Sequence, residues 1–348
     1  MDLVMKTIKR TALALLLAGA MTAGMTGCSD TTWGAECEGM KMPAGVYISN
    51  IMSAYSEGTS LLSADADLTN IWNNTIDGVD FQSWVRNKST EYVRTYFAVE
   101  KKFEEMGLVM DDATKSQADQ MAAYQWSYYG PAYQENGISE ASYKEYVRNS
   151  YKASMLFEAI YAEGGTEEVP DQELLDYFNA NYLSIDRIVF EPEAAADGSV
   201  SEQALANARE EAELYKRLLE KGGSIADLAK KYADEKAAAA GEEPSDEEIE
   251  TGATISLENP GYDEAFVSAL TGAAKGEPIV LDDGTNAYVI VVDEVTVEDE
   301  VYTLNESYLL SYLKSDEFDK RLADWGKELN VTFNEAAVTR YDAKKLKF

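Results

Sequence analysis

The chain is 348 residues long, enough for two domains and a substantial core. It carries 30 Lys and Arg against 63 Asp and Glu, a formal net charge of −33, so nucleic-acid and polyphosphate partners, which need a basic footprint, are not expected. It has no histidine, which removes Ser-His-Asp and Cys-His catalysis, histidine metal sites and imidazole acid–base chemistry together; no metal or cofactor is expected.

Residues 1–27 read as a targeting segment. Lys6, Lys9 and Arg10 form a basic start, and residues 11–23 supply an apolar run that is interrupted by Gly19 and too short for a membrane span. The run ends in Met25-Thr26-Gly27-Cys28, which resembles the bacterial lipobox. That resemblance implies cleavage before Cys28, diacylation of its thiol, and an extracytoplasmic protein held at the outer face of the cell membrane. Only one other cysteine exists, Cys37, so a disulfide framework is excluded.

Residues 28–42 are expected to be a polar tether. A helical start follows over 43–62, carrying Val46, Ile48, Ile51, Met52 and Tyr55. Residues 63–70 invite a calcium reading, but the twelfth position counted from Asp65 is Ile76, where an EF-hand needs glutamate, so the segment reads as a polar loop. Asp80 can cap a long helix whose apolar stripe runs from Phe81 through Val85, Val93 and Phe97 to Phe103, with Gly107 ending it. A second helix spans 112–129 and is expected to stop at Gly130-Pro131; a third begins at Ser139 and runs to Tyr161; Pro170 opens a short one over 171–180. Tyr124, Trp126, Tyr128, Tyr129 and Tyr133 have two readings, closure of a helical core or a surface that grips unfolded chains.

The second half changes pattern. Residues 184–190 predict a strand, 201–221 and 225–232 two helices (the latter capped by Ser224), 237–250 an acidic low-complexity loop, and 263–270 a short helix. Strands at 278–281 and 287–292 flank a turn at Asp282-Asp283-Gly284. A last helix over 305–329 is expected to dock on the N-terminal helices through Tyr308, Leu309, Tyr312, Leu313, Phe318, Leu322 and Trp325.

This order resembles the parvulin family of peptidyl-prolyl isomerases over residues 182–297. Ile185-Asp186-Arg187-Ile188-Val189-Phe190 falls where the family has its first strand; 223–232 resembles its Gly-x-x-Phe-x-x-Leu-Ala-x-x-Tyr/Phe-Ser helix; Lys275-Gly276-Glu277-Pro278-Ile279 resembles the Gly-Glu before its last strands. With a helical region before it, including Asn136-Gly137-Ile138-Ser139 and 169–178, and a helix after it, the whole is similar to the extracytoplasmic foldases of the PrsA and SurA group; a lipid anchor implies the PrsA-like proteins of Gram-positive bacteria. The resemblance implies an α+β fold: a helical chaperone lobe (43–181 and 298–348) with an inserted parvulin-like α/β domain, a small, mainly antiparallel sheet flanked by helices. The implied partners are unfolded or partly folded secreted proteins and, through the lipid, the membrane.

The family's two histidines and its cysteine or aspartate map onto Arg187, Val289 and Glu235, and its proline pocket onto Tyr262, Phe266 and Ile255 or Leu257. Its Gly-Gly-Asp-Leu-Gly signature is reduced to Thr251-Gly252-Ala253-Thr254-Ile255. Rotation about a prolyl bond crosses a barrier of roughly 18–20 kcal/mol and makes no bond, so an apolar pocket that prefers the twisted amide can retain weak activity. Arg187 is expected to pair with Glu235 or to face solvent, with a hydrogen bond to a substrate carbonyl as the alternative. Three functions stay open: a chaperone with a weak or inactive isomerase domain, a divergent working isomerase, and a scaffold for one partner.

Overall fold

The computed structural model describes residues 30–195, 198–243 and 249–348; residues 1–27, expected to be a targeting segment, and Cys28 lie outside the described residues. The fold is α+β and the chain divides into two units, residues 30–160 with 316–348, and residues 161–315. The short helix after Pro170 and the first half of the C-terminal helix, both expected in the helical lobe, therefore fall in the second unit.

The expected tether is instead structured from Trp33. β1 (Trp33–Cys37) and β2 (Met40–Pro43) form a hairpin whose two-residue turn, Glu38-Gly39, has both φ values positive (51° and 89°), the type I′ geometry that matches strand twist. Ala35, Cys37 and Met42 are buried by this pairing, a period-two pattern too short to stand out in sequence. Burial pushes the Cys37 thiol pKa up, so it is a packing residue rather than a nucleophile. α1 (Ala44–Ser60) follows, then a small ribbon of β3 (Thr75–Ile76) and β4 (Val79–Asp80). Asp80 accepts a hydrogen bond from the Ser83 amide and caps α2 (Phe81–Glu105), as its sequence predicts.

α3 (Asp112–Glu135) runs through Gly130-Pro131 rather than stopping there. Proline removes one backbone donor close to the helix end, and the last turn is held by aromatic packing: Tyr133 meets Trp126 of the same helix and Tyr143 of the next at ring-centroid distances of 5.9 and 4.7 Å. The tyrosine cluster splits accordingly. Trp126 and Tyr133 pack against the buried Ile48, Ala122, Ile138, Tyr143 and Val147, whereas Tyr124, Tyr128 and Tyr129 are exposed. α4 (Glu140–Tyr161) completes this run, with Arg148 donating two hydrogen bonds to the Asp119 carboxylate, both at 2.7 Å.

In the second unit, α5 (Asp171–Asn181) passes directly into β5 (Tyr182–Phe190), which is followed by α6 (Glu202–Glu220), α7 (Ile225–Ala240), β6 (Gly252–Ser256), α8 (Glu264–Thr271), β7 (Pro278–Asp282) and β8 (Ala287–Val292). Ser224 caps α7 as expected. The helix also absorbs the alanine run, so the expected loop is helical as far as Ala240, and Gly241 ends it at φ 77°. β6 has no counterpart in the sequence reading. The sheet is antiparallel throughout, in the order β6-β5-β8-β7.

Pleating divides the side chains of this sheet between two cores. Ile188, Phe190, Ala287 and Val289 pack on one face with Ala208, Ala212 and Tyr215 of α6 and Leu228, Ala229 and Tyr232 of α7. Leu183, Ile185, Tyr288, Ile290 and Val292 pack on the other with Ile255, Phe266 and Leu270.

α9 (Glu300–Glu328) is one continuous helix whose residues up to Ser315 belong to the second unit and whose remainder belongs to the first. In the first unit, Phe318 meets Phe157 edge-on at 5.4 Å and Trp325 receives Lys102 over its ring, while Arg94 donates to the Leu329 carbonyl at 2.9 Å. In the second unit, Leu309 and Leu310 are buried, and Tyr308 and Tyr312 are exposed rather than docked as expected. β9 (Val331–Phe333) then pairs antiparallel with β1, and α10 (Glu335–Arg340) follows, capped by Asn334.

Candidate functional site

The residues matched to the proline pocket come together on one face of the second unit. Ile255 is buried on β6, with Leu257 just beyond it, and Phe266 sits on α8 beneath Tyr262. Asp263 accepts from the Phe266 amide at 2.8 Å and so fixes the start of α8, which sets the direction of the Phe266 ring. Tyr262 lies parallel to Phe266, centroids 4.2 Å apart and planes 9° apart, and covers it. Arg187 projects from β5 onto this face and donates from Nη1 to the Tyr262 hydroxyl at 2.7 Å.

The other two matched positions lie elsewhere. Val289 pairs with Ile188, so its side chain emerges on the face of α6 and α7, with no surface exposed. Glu235, on α7, accepts from the Tyr215 hydroxyl at 2.7 Å and lies 3.7 Å from Lys231. Burial and the neighbouring Glu235 carboxylate push the Tyr215 hydroxyl pKa up. The sheet thus stands between Arg187 and the other two matched residues. The expected Arg187–Glu235 pair does not form among the described residues, because the pleat sends the Arg187 side chain to the face opposite the one on which α7, the helix carrying Glu235, packs.

Sequence matching missed two residues that do share the Arg187 face. Tyr288 meets Phe266 at 5.6 Å and Tyr262 at 6.3 Å, both edge-on. Its hydroxyl donates to Asp283 Oδ2 at 2.6 Å, and Asp283 Oδ1 accepts the amides of Thr285 and Asn286. Burial opposes ionisation of Asp283, but these three donors outweigh it and hold the carboxyl below its usual range. Burial, and then the bond to Asp283, push the Tyr288 hydroxyl up to about 12. Strand parity was the available signal: Arg187 pairs with Ile290, and the same face continues at Tyr288.

Chemically, this face offers an arginine with five N–H donors, one of them directed to Tyr262, beside a closed aromatic wall. It can hydrogen-bond carbonyl or carboxylate oxygens and stack on apolar groups. Opening the pocket requires Tyr262 to leave both Phe266 and Arg187.

No family model matches the chain, and no curated protein matches it. Among solved structures it is similar along most of its length to PrsA and SurA-like foldases. The foldase protein PrsA of Streptococcus pneumoniae aligns over 80% of this chain and 99% of its own, at 16% identity and a TM-score of 0.34. PrsA of Lactococcus lactis aligns over 90% and 99%, at 13% identity and 0.35. A SurA-like chaperone structure from Campylobacter jejuni, described for the virulence factor PEB4 and the periplasmic protein Cj1289, aligns over 87% and 98%, at 12% identity and 0.25.

Proposed function

We propose that this protein is a lipid-anchored extracytoplasmic chaperone that binds unfolded or partly folded secreted polypeptides, and that its parvulin-like domain, residues 182–297, isomerises prolyl bonds weakly or not at all. The observation that carries the reading is a contrast. Large aromatic side chains stay open to solvent at Tyr124, Tyr128 and Tyr129, and again at Tyr308 and Tyr312, while the aromatic set at the matched site is closed by its own Tyr262. Exposed aromatics on a strongly charged chain offer contact area for apolar segments without a requirement for sequence. The lipobox-like Met25-Thr26-Gly27-Cys28 supports the anchor. Among the described residues no helix is long and apolar enough to cross a membrane.

The test runs two assays on the full chain, suppression of aggregation of a denatured client and acceleration of a proline-limited refolding reaction. Suppression without acceleration is the expected result. Acceleration that is lost on Phe266→Ala would instead make the protein a working divergent isomerase. No response in either assay would favour a scaffold for a single partner. Cys28→Ala is expected to move the protein out of the membrane fraction.

A further inference from the structure

The free edge of β6 and the cavity beside it belong to the second unit but not to the Arg187 face. In the ladder between β5 and β6, the Arg187 amide donates to the Thr251 carbonyl at 2.9 Å and the Leu257 amide to the Asn181 carbonyl at 2.8 Å. Tyr182 stands opposite Ser256, Ser184 opposite Thr254 and Asp186 opposite Gly252. The two bracketing bonds make these three pairs the non-hydrogen-bonded kind of an antiparallel ladder. The N–H and C=O groups of Gly252, Thr254 and Ser256 therefore point away from β5. β6 ends the sheet, Gly252 and Thr254 are exposed, and no backbone group among the described residues pairs with the outward row.

A cavity of about 310 Å³ opens next to this row, lined by Thr254 with Phe178, Tyr182, Tyr308, Leu309 and Tyr312. Tyr308 and Tyr312 lie one turn apart on α9, and two-thirds of each is exposed (66% and 67%). An unpaired strand edge supplies affinity through main-chain bonds, and a pocket at every second side chain supplies selectivity. Such an edge is ordinarily blunted by Lys, by Pro or by a covering element. Residues 252–256 contain no Lys or Pro.

Charge selects the occupant. Among the described residues between Lys236 and Lys275 six are carboxylates and none is Lys or Arg, and β6 lies within that stretch. Glu250 and Glu258 each stand two residues from the strand ends, and both are exposed.

We propose that β6 receives an extended basic–apolar polypeptide segment as an added strand, with one large apolar or aromatic side chain entering the Tyr308–Tyr312 cavity and Lys or Arg side chains facing the carboxylates around the strand. This rests on the polypeptide-binding reading above and names the chemistry of the segment it takes. Main-chain pairing explains how segments of unrelated sequence fit the same place. The acidic surroundings favour the cationic stretches among them, with a salt dependence that a purely apolar groove lacks.

The test measures fluorescence anisotropy of a labelled synthetic peptide that alternates Lys and Val around a central Phe, titrated with the full chain. The wild type is expected to bind it, more weakly as salt rises, and to bind a matched peptide with Glu in place of Lys at least about tenfold more weakly, equivalent to about 1.4 kcal/mol. Thr254→Pro removes an outward N–H that the β5 ladder does not use, so the sheet is retained and peptide binding falls by a similar factor. The double variant Tyr308→Ala, Tyr312→Ala changes exposed side chains only and keeps the test decisive where the proline variant does not fold; it too is expected to weaken binding. Equal binding of the Lys and Glu peptides, no binding of either, or wild-type binding by folded Thr254→Pro and by the tyrosine variant would each overturn the proposal. Aggregation suppression by the wild type, run in parallel, separates the two readings. If suppression is present but β6 variants bind the peptide normally, the strand-addition idea fails and the chaperone reading stands. If suppression is absent but peptide binding depends on β6, the reverse holds.

Discussion

Val289→Ala distinguishes a core position from a site position. Val289 has no exposed surface and packs with Ile188, Phe190 and the residues of α6 and α7 beneath the sheet. Alanine removes two buried methyl groups and leaves a cavity; at about 0.5–1.5 kcal/mol for each carbon removed, the expected loss is about 1–3 kcal/mol. For a folding unit of this size each kcal/mol shifts the melting temperature by about 2–4 °C, so a fall of about 6 °C is the central expectation. Thermal and urea unfolding of the full chain report it, with the urea slope unchanged because the surface exposed on unfolding is nearly the same. Arg187→Ala is the contrasting variant. Arg187 is half-buried on the other face and loses one hydrogen bond, to Tyr262, for about 0.5–1.5 kcal/mol. If Val289→Ala left stability unchanged but altered isomerase activity or client binding, the assignment of the two residues to opposite faces would be wrong.

Glu235→Ala is expected to cost about 0.5–1.5 kcal/mol through the lost Tyr215 bond and to leave proline-limited refolding unaltered, measured by the same unfolding and refolding assays. Asp283 titrates in the fold below its unfolded value, so its contribution is present at pH values above the unfolded value and is lost as pH falls through the folded one; Asp283→Asn should lower stability at neutral pH and flatten the acid limb below about pH 4. Asp293 behaves oppositely. Burial raises its pKa despite the Ser184 hydroxyl that donates to it, so the ionised form is disfavoured in the fold and stability is gained as pH falls through its folded value; Asp293→Asn keeps the acceptor and should stabilise at neutral pH. Gly34→Ala would place a methyl 2.3 Å from Cβ and Cγ of Tyr47, which no rotamer of Tyr47 relieves at Cβ, and is expected to destabilise the first unit by about 1–3 kcal/mol in urea unfolding.

Helices were legible because their signals are long and redundant. The Asp80 and Ser224 caps and the stripe from Phe81 to Phe103 survive a missed residue or two. The short strands were not. β1 and β2 contribute few buried side chains, and what makes them strands is pairing with each other and with β9, nearly 300 residues away in sequence, which no local window contains. β6 was invisible for a related reason: only Ile255 in it is fully buried, and its place in the sheet comes from the β5 register. Pro131 misled because the packing of Tyr133 on Tyr143 of α4 holds the last turn of α3 in place despite the donor that proline removes, and no local window contains that contact.

The candidate site failed in a more particular way. Motif matching fixes a position to within about one residue, and on a helix such an error rotates a side chain by about 100°. On a strand it sends the side chain through the sheet. Arg187 and the residues brought by α8 and β6 landed together because the helix start at Asp263 and the strand register both place them on one face. Val289 missed that face by one residue, while Tyr288, on it, has a phenol whose hydroxyl is committed to Asp283. The face that resembles an isomerase site in sequence is therefore built as an aromatic wall pinned by an arginine and a carboxylate. Its side chains satisfy one another, whereas the outward main-chain groups of β6 are left without partners among the described residues. The strand addition proposed above accordingly lies at the β6 edge rather than at the position where the resemblance puts chemistry.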